Sequence, residues 1–570
     1  MSQIWMNEKQ FVKPGMPLQP YTAWRICSFS KQKKRGKESH PCPFTNIKTP
    51  LYSSRAMNQF TPSAYQQAIF DWIIEGRGDA IVNAVAGSGK TTTLIQASQR
   101  LKTSRALFAA FNTHIAKTLS DRIPTMTCRT IHSVGNRCVS RYLGRTVLDD
   151  SKYRNLCRDQ ANGLHSQMMA HYAQQLQEWA RSGADEDDEP EAVPKLEELQ
   201  AAIAQLVHFT QCTLTNPGSA IAIHSMAAHF GLEIPYPDLL IPVISTILEQ
   251  GQDLARQDKI IDYSDMLYLP YVWDLQPQTF EWVFVDEAQD LSAAQLHLIL
   301  KARAKGGRML LVGDPLQAIY GFAGADCEAF DRIKQTLQAK ELPLSICYRC
   351  PVKVLELAKK IVPHMEATPN AADGRVETMK ESKLPEVVKE GDLILCRLTA
   401  PLVSLCIELI AQRIPARVRG RDIGRMLTAI ARDVSQIQGF TFHRFADFLE
   451  EYRSKRVAKL QQRSNSEAQI ESFCDRVNGV KACYEAFECN TLSAFCLEIE
   501  GLFSDDRPSV ILSTVHRAKG LEEERVFILY PDKLPLIWEN QQPWELKQEM
   551  NLKYVALTRA KAELIFVVVE

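Results

Sequence analysis

The stretch Ala84-Val-Ala-Gly-Ser-Gly-Lys-Thr91 decides the fold. It follows the apolar run Ala80-Ile-Val-Asn-Ala84, which reads as a strand, and it opens a helical pattern from Thr91 to Gln99. Strand, glycine loop and helix in that order are what a phosphate-cradling loop requires. Gly87 and Gly89, on either side of Ser88, let the backbone approach phosphate oxygens with its N–H groups exposed. The helix N-terminus adds a positive partial charge. Lys90 is placed to reach the β- and γ-phosphates, and Thr91 to offer its hydroxyl to Mg²⁺. Ala84 stands where the usual pattern has its first glycine. Further along, Asp286-Glu-Ala-Gln-Asp290 ends the strand-like run Trp282-Val-Phe-Val285. That placement suits Asp286 to hold Mg²⁺ and Glu287 to activate the attacking water. The two stretches together predict a nucleotide hydrolase that uses Mg²⁺.

The rest of the composition narrows the class. A chain of 570 residues holds about three or four domains. Its 67 basic and 67 acidic side chains cancel, so an anionic partner must be met by local basic patches. The 15 cysteines show no zinc spacing. Cys347 and Cys350 form a lone C-x-x-C, and Cys474, Cys483, Cys489 and Cys496 are irregularly placed. With no secretion signal evident, they read as reduced, buried thiols of a cytoplasmic protein. No apolar run is long enough to span a bilayer, so no membrane partner is expected.

Residues 1–58 lack periodicity and carry the basic run Lys31-Gln-Lys-Lys-Arg-Gly-Lys37. They read as a poorly ordered extension, with contact to a nucleic-acid backbone or a targeting role as the alternatives. From residue 59 the pattern alternates strands and helices, as in a parallel sheet covered on both faces. It is interrupted over 144–259 by helical sequence (Ala170 to Ala180, Pro194 to Thr210, Ile241 to Ala255) and by the acidic stretch Ala184-Asp-Glu-Asp-Asp-Glu-Pro-Glu191, read as a solvated turn. The first core thus comprises 59–143 and 260–340. A second comprises 341–420 and 505–570, with a small helical insertion over 421–504. The pattern predicts an α/β fold with two tandem parallel-sheet cores, each carrying a helical insertion.

In its order of motifs the chain resembles superfamily-one helicases of the UvrD/Rep type, from about Thr61 to the end, which implies that the two tandem α/β parallel-sheet cores are RecA-like. Tyr65-Gln-Gln-Ala-Ile-Phe70 is similar to the family's adenine-reading glutamine motif, which points to Gln66, with Gln67 as the neighbouring possibility. Thr92 stands where many relatives have an arginine that packs on the base. Phe108-Ala-Ala-Phe-Asn-Thr-His-Ile-Ala-Lys117 and Thr130-Ile-His-Ser133 resemble motifs that contact single-stranded DNA. The resemblance implies DNA contact by Phe111, Asn112, Thr130 and His132, with core packing as the plain alternative for Phe111. Ile261-Asp-Tyr-Ser-Asp-Met-Leu267 resembles an acidic turn leading back into the first core and is given no catalytic role.

Val312-Gly-Asp-Pro-Leu-Gln-Ala-Ile-Tyr-Gly-Phe-Ala-Gly-Ala325 resembles motif III, which joins the ATP site to DNA. There Gln317 would sense the γ-phosphate, while Tyr320 and Phe322 would meet DNA. Ser345-Ile-Cys-Tyr-Arg349 resembles motif IV, with Tyr348 stacking on adenine and Arg349 reaching the γ-phosphate. Leu512-Ser-Thr-Val-His-Arg-Ala-Lys-Gly-Leu-Glu522 resembles motif V. It implies DNA contact by Thr514 and His516 and ribose contact by Glu522. Glu549-Met-Asn-Leu-Lys-Tyr-Val-Ala-Leu-Thr-Arg-Ala560 resembles motif VI, with Arg559 as a second arginine finger; Asn551 stands where arginine is common.

The second insertion leans basic, with Arg413, Arg417, Arg419, Arg421, Arg425, Arg432, Arg444, Arg453, Lys455, Arg456 and Lys459 in or beside it. That suits duplex contact, a partner surface or a solvated helix face. The resemblance implies an ATP-dependent DNA helicase or translocase with 3′→5′ polarity, acting on single strands and on single-strand/duplex junctions. A translocase that strips proteins and unwinds poorly is the near alternative. A DNA-stimulated ATPase subunit or sensor of a repair or defence complex, with its own protein partner, is the more distant one. No segment reads as a fused nuclease, and nucleoid association is expected if the chain is bacterial.

Overall fold

A computed structural model describes residues 61–182, 193–319, 329–461, 467–503, 509–539 and 541–569. The N-terminal extension and the acidic stretch 184–191 lie outside the described residues.

The first sheet has six parallel strands in the order Thr127–Thr130, Ala106–Ala110, Phe280–Val285, Arg303–Gly313, Ala80–Ala84, Lys340–Leu344. Its inner strands are buried on both faces, which is why Ala106–Ala110 and Trp282–Val285 read as unbroken apolar runs rather than alternating ones. Helices on one face bury Ile69, Phe70, Leu94 and Leu119. The other face meets Ile131, Val134, Leu298 and Ile299. The edge strand Lys340–Leu344 pairs with Ala80–Ala84. The first core therefore runs to Leu344, past the expected junction at 340/341. A strand pattern shows that a strand exists, not which neighbour it joins.

The second sheet also has six parallel strands, in the order Arg375–Lys380, Ala560–Val568, Glu523–Leu529, Leu393–Cys396, Val510–Thr514, Ala416–Val418. In both sheets the functional loops leave the carboxyl ends of strands, the edge at which open parallel sheets bind ligands.

The two helical insertions differ in how they attach. The first, with helices Lys152–Ser182, Leu196–Thr213, Ala220–His229 and Pro237–Gln257, has an apolar cluster of its own around Ile203, Leu206, Ile244 and Leu248. The second, with Arg421–Ser435, Phe445–Gln461, Glu467–Ala486 and Leu492–Leu502, shares one cluster with its sheet. Leu427, Phe445 and Phe495 of the insertion belong to the same buried cluster as Ile394, Leu512 and Phe527 of the strands.

The basic residues of the second insertion are largely engaged. Arg456 and Lys459 both pair with Glu198 of the first insertion. Arg444, Arg453 and Lys455 pair with acids three or four residues away in sequence. Among the described residues no helix is long and apolar enough to cross a membrane.

Candidate functional site

The glycine loop leaves the strand Ala80–Ala84 with Gly87 at φ 69° and Gly89 at φ 77°. Both values lie in the left-handed region that favours glycine. Gly89 occupies the cap position of helix Lys90–Ser98, which has no side-chain cap. The first N–H groups of a helix have no intrahelical partner, so this end is left for a ligand. Ser88 is fully buried, and its Oγ has no hydrogen-bond partner.

A left-handed loop, an uncapped helix end and an orphaned buried hydroxyl fit a bound phosphate chain. Thr91 Oγ1 donates to Asp286 Oδ2 at 2.8 Å, an oxygen pair of the kind that holds Mg²⁺. Among the described residues no cluster of three or more His, Cys, Asp or Glu has metal-binding geometry.

Asp286 and Glu287 follow the strand Phe280–Val285 directly. Burial, with Glu287 next to it, pushes the Asp286 carboxyl up to about 6. Glu287 adopts φ 52°, a conformation that costs a non-glycine residue about 1–2 kcal/mol. Burial acts to raise its carboxyl too, but Lys90, Lys519, Gln289 and Arg559 outweigh burial, so it stays below the usual range and ionised. Gln289 Nε2 donates to Glu287 Oε2 at 2.6 Å, and Gln289 Oε1 accepts from the Asp314 N–H at 3.0 Å. Gln317 is buried, with Nε2 donating to Asp314 Oδ2 at 2.5 Å.

The second core lies directly on the glycine loop. Tyr348 N–H donates to Gly87 O at 2.9 Å. A Cβ added at Gly87 would fall 2.6 Å from Arg349 Cβ and 2.9 Å from Cys347 Sγ. The Ala86 N–H donates to Tyr554 Oη at 2.7 Å, and that hydroxyl donates to Asp314 Oδ2 at 3.2 Å. Lys519 Nζ donates to Asp290 Oδ2 and to Gln317 O, both at 2.6 Å. Asn551 Nδ2 donates to Ala318 O at 2.9 Å. Tyr554, Lys519 and Asn551 therefore join the cores, a role not read from the sequence although all three lie inside the quoted motifs. A polar residue within a motif gives no sign of which partner it will find across a cleft.

The two expected arginine fingers are held by their own core in this arrangement. Arg349 pairs with Glu522, and its Nη1 donates to Thr558 O at 3.1 Å. Its Nε is buried without a partner. Glu522 also pairs with Lys561 at 3.4 Å, so its carboxylate is occupied by cations. Arg559 is 1% exposed and donates to Val555 O at 2.9 Å and to Leu521 O at 3.2 Å. Burial, with Arg349 alongside, lowers it to about 10.

The base-side residues are arranged less simply. Gln66 is buried, its Oε1 accepting from Ser63 N–H and its Nε2 donating to Thr93 Oγ1, each at 3.0 Å. Its amide is thus spent partly on capping its helix. Gln67 is exposed and donates to Asp71 instead. Thr92 is exposed, and Tyr348 is 52% exposed, with its ring open to a stacking partner.

Of the expected DNA contacts, Phe111 and His132 come together. Both line a cavity of about 380 Å³, with Tyr263 and Asp290 in its wall and His208 and Gln211 contributed by the first insertion. Asn112 and Thr130 cap helices, accepting from Ile115 N–H at 2.8 Å and Ser133 N–H at 3.2 Å. Thr514 and His516 sit on the other core, at the carboxyl end of Val510–Thr514. Tyr320 and Phe322 lie outside the described residues.

The site is thus a glycine loop at the end of a parallel strand, closed over by residues of a second parallel-sheet core. Residues 66–338 match the UvrD/REP helicase N-terminal domain, and residues 423–570 match the UvrD-like helicase C-terminal domain. The chain belongs to the UvrD/Rep helicase family. It is similar to a probable DNA helicase of Mycoplasma pneumoniae, 25% identical over 340 residues, covering 57% of this chain and 51% of that protein. It is also similar to a probable DNA helicase II homolog of Mycoplasma capricolum, 24% identical, covering 56% of this chain and 60% of the relative. A DNA helicase II of Haemophilus influenzae is 28% identical over 119 residues, 20% of this chain and 16% of that protein. The chain thus spans about half to three fifths of the first two relatives, 51% and 60%.

Proposed function

We propose that the protein is an ATP-driven motor that moves along single-stranded DNA, 3′ to 5′, and couples hydrolysis to duplex unwinding or protein displacement. The observation that carries this reading is the direct seating of Tyr348 and Arg349 of the second core on Gly87 of the glycine loop. A nucleotide held at Gly87, Ser88, Gly89, Lys90 and Thr91 would be flanked by both cores and would enter only when they part.

Mg²⁺, held at Thr91 and Asp286, would supply charge neutralisation of the phosphates. Glu287, kept ionised by the cations around it, serves as the base that orients and deprotonates water. Gln317 reports the state of the site to the segment that follows it. Arg349 and Arg559 leave their resting partners, Glu522 and the Val555 and Leu521 carbonyls, to stabilise charge developing on the transferred group. Donors that engage only as that charge develops favour the transition state over bound substrate. Release of the products removes the reason for closure. The cores then part with the strand held at Phe111, Asn112, Thr130 and His132 on one side and at Thr514 and His516 on the other.

A second reading is favoured by one feature. The second insertion shares its apolar cluster with the sheet, which suits a compact translocase or DNA-stimulated ATPase subunit that unwinds little on its own. Strand displacement on 3′-tailed, 5′-tailed and blunt duplexes separates these. Unwinding of the 3′-tailed duplex alone supports the first reading. DNA-stimulated hydrolysis with no displacement supports the second. No DNA-stimulated hydrolysis removes both.

A further inference from the structure

The sequence Cys347-Tyr-Arg-Cys350 places two thiols on either side of the two residues that the second core presents to the glycine loop. The backbone N–H of Cys350 donates to Cys347 Sγ at 3.4 Å, so the first sulfur already sits at the residue that carries the second. Cys350 Sγ lies 3.6 Å from Thr558 O, the carbonyl that also receives Arg349. Both cysteines are buried, at 1% and 3% exposure. For Cys347 part of the cover comes from the other core, because a Cβ at Gly87 would lie 2.9 Å from its sulfur. Parting the cores uncovers it.

The other buried thiols are different. Cys396, Cys406 and Cys483 are walled in by apolar side chains, and burial pushes each up to about 12. The Cys347 thiol, by contrast, is brought down to about 6 by the hydrogen bond from Cys350, with backbone N–H groups and Arg349 adding to it. A stabilised thiolate beside a second thiol is the arrangement that makes a C-x-x-C reactive.

We propose that Cys347 and Cys350 are a redox-active dithiol that a hydroperoxide oxidises to a disulfide when the cores part, fixing Tyr348 and Arg349 in a short ring and slowing nucleotide turnover. The Cys347 thiolate attacks one peroxide oxygen; the S–O bond forms, the O–O bond breaks, and the departing alkoxide or hydroxide takes a proton from solvent. Cys350 then attacks the sulfenic sulfur. The S–S bond forms, and the hydroxyl leaves as water with the Cys350 proton. Two thiols give up two electrons, and the peroxide is reduced to an alcohol, or water, plus water. In the ring, Arg349 can no longer exchange Glu522 for a ligand in the cleft. The effect on turnover rests on the nucleotide reading above; the disulfide does not.

The test uses the full chain, reduced, freed of reductant and treated with hydrogen peroxide, with or without a non-hydrolysable ATP analogue and Mg²⁺. Free thiols are then alkylated and the 347–350 peptide is mapped by mass. The expected result is a peptide lighter by two hydrogens, restored by dithiothreitol and suppressed by the analogue. DNA-stimulated ATP turnover of the oxidised protein should fall by about tenfold or more, a part of what an arginine finger contributes. It should recover with dithiothreitol. Cys350→Ser should keep its turnover through the same peroxide treatment.

Alkylatable thiols at both positions after peroxide treatment without the analogue would overturn the dithiol. A mapped disulfide with unchanged turnover would overturn its control of the cleft. If the reduced protein hydrolyses no ATP while the disulfide still forms, the nucleotide reading is what fails.

Discussion

The hydroxyl of Tyr554, on the second core, accepts a hydrogen bond from the backbone N–H of Ala86 in the glycine loop, at 2.7 Å. The same oxygen donates to Asp314 Oδ2 at 3.2 Å, and Asp314 also receives Gln317. One phenol therefore ties the loop, the second core and the segment bearing Gln317 at a single buried point. Tyr554→Phe leaves a buried N–H and a carboxylate short of a partner, at a cost of about 1–3 kcal/mol. The expected outcome is a lower melting temperature together with a fall in DNA-stimulated ATP turnover larger than the fall in nucleotide affinity. Unchanged melting and turnover would show that the contact is not made in solution.

Glu287→Gln keeps the size of the side chain and removes the base. Nucleotide binding should survive, while kcat falls by about 10²-fold or more, the scale of a lost general base. Lys90→Ala should abolish turnover by taking a cation from the phosphates. Near-normal hydrolysis by the glutamine variant, measured at saturating ATP and DNA, would remove Glu287 from the role.

Arg349→Ala and Arg559→Ala should lower kcat far more than they weaken ATP binding, by roughly 10³-fold for a full finger. They differ in stability. Arg349 is partly exposed and leaves behind Glu522, which keeps Lys561. Arg559 is fully buried and satisfies three acceptors of its own core, so its loss should also lower the melting temperature. Weaker ATP binding with normal turnover at saturation, in either variant, would count against the second core completing the site.

Phe111 is 39% exposed and lines the cavity it shares with His132, and the proposed function gives it the role of a stacking surface. Phe111→Ala should cost ~1–3 kcal/mol of single-strand binding, with little change in melting and with the DNA-free ATPase rate preserved. A fluorescence titration with labelled oligonucleotide checks this. A collapsed melting transition would mark Phe111 as packing instead.

Asp262 gives a pH signature away from the cleft. Burial, with Asp265 alongside, pushes its carboxyl up to about 7 from the model-peptide value of 3.8. Between those values the folded state keeps a proton that the unfolded chain has lost, so stability falls as pH rises through that window. Asp262→Asn keeps an oxygen that can accept the Asp265 N–H, the bond made at 2.8 Å. The variant should show a flatter melting temperature between pH 4 and 7 and exceed the wild type most at the upper end. Parallel pH profiles would contradict it.

Much of this was legible in the sequence, and the limits have physical causes. Val510–Thr514 was read with its observed bounds, because a strand buried on both faces is a bounded apolar run. The helix expected from Ala170 to Ala180 is the last third of Lys152–Ser182, whose earlier turns bury Tyr153, Cys157, Ala161 and Leu164 along one side of an otherwise polar run. Residues 341–344 are expected in the second core, whereas the strand Lys340–Leu344 pairs with Ala80–Ala84 of the first, because sheet order is set by crossovers and not by order along the chain. The glycine loop and the two carboxylates that follow Val285 could be read because their geometry is local. The engagement of Arg349 by Glu522, and of Gln66 by its own helix cap, could not: each depends on side chains that meet only after folding.

The apolar cluster shared by the second sheet and its insertion also has a mechanical meaning. To flex one against the other, the chain would have to pull Leu427 and Phe445 away from Leu512 and Phe527, exposing oil to water at every stroke. Sheet and insertion thus behave as one stiff oar. Any load on the insertion is taken up by Leu512 and Phe527, in the strands Val510–Thr514 and Glu523–Leu529.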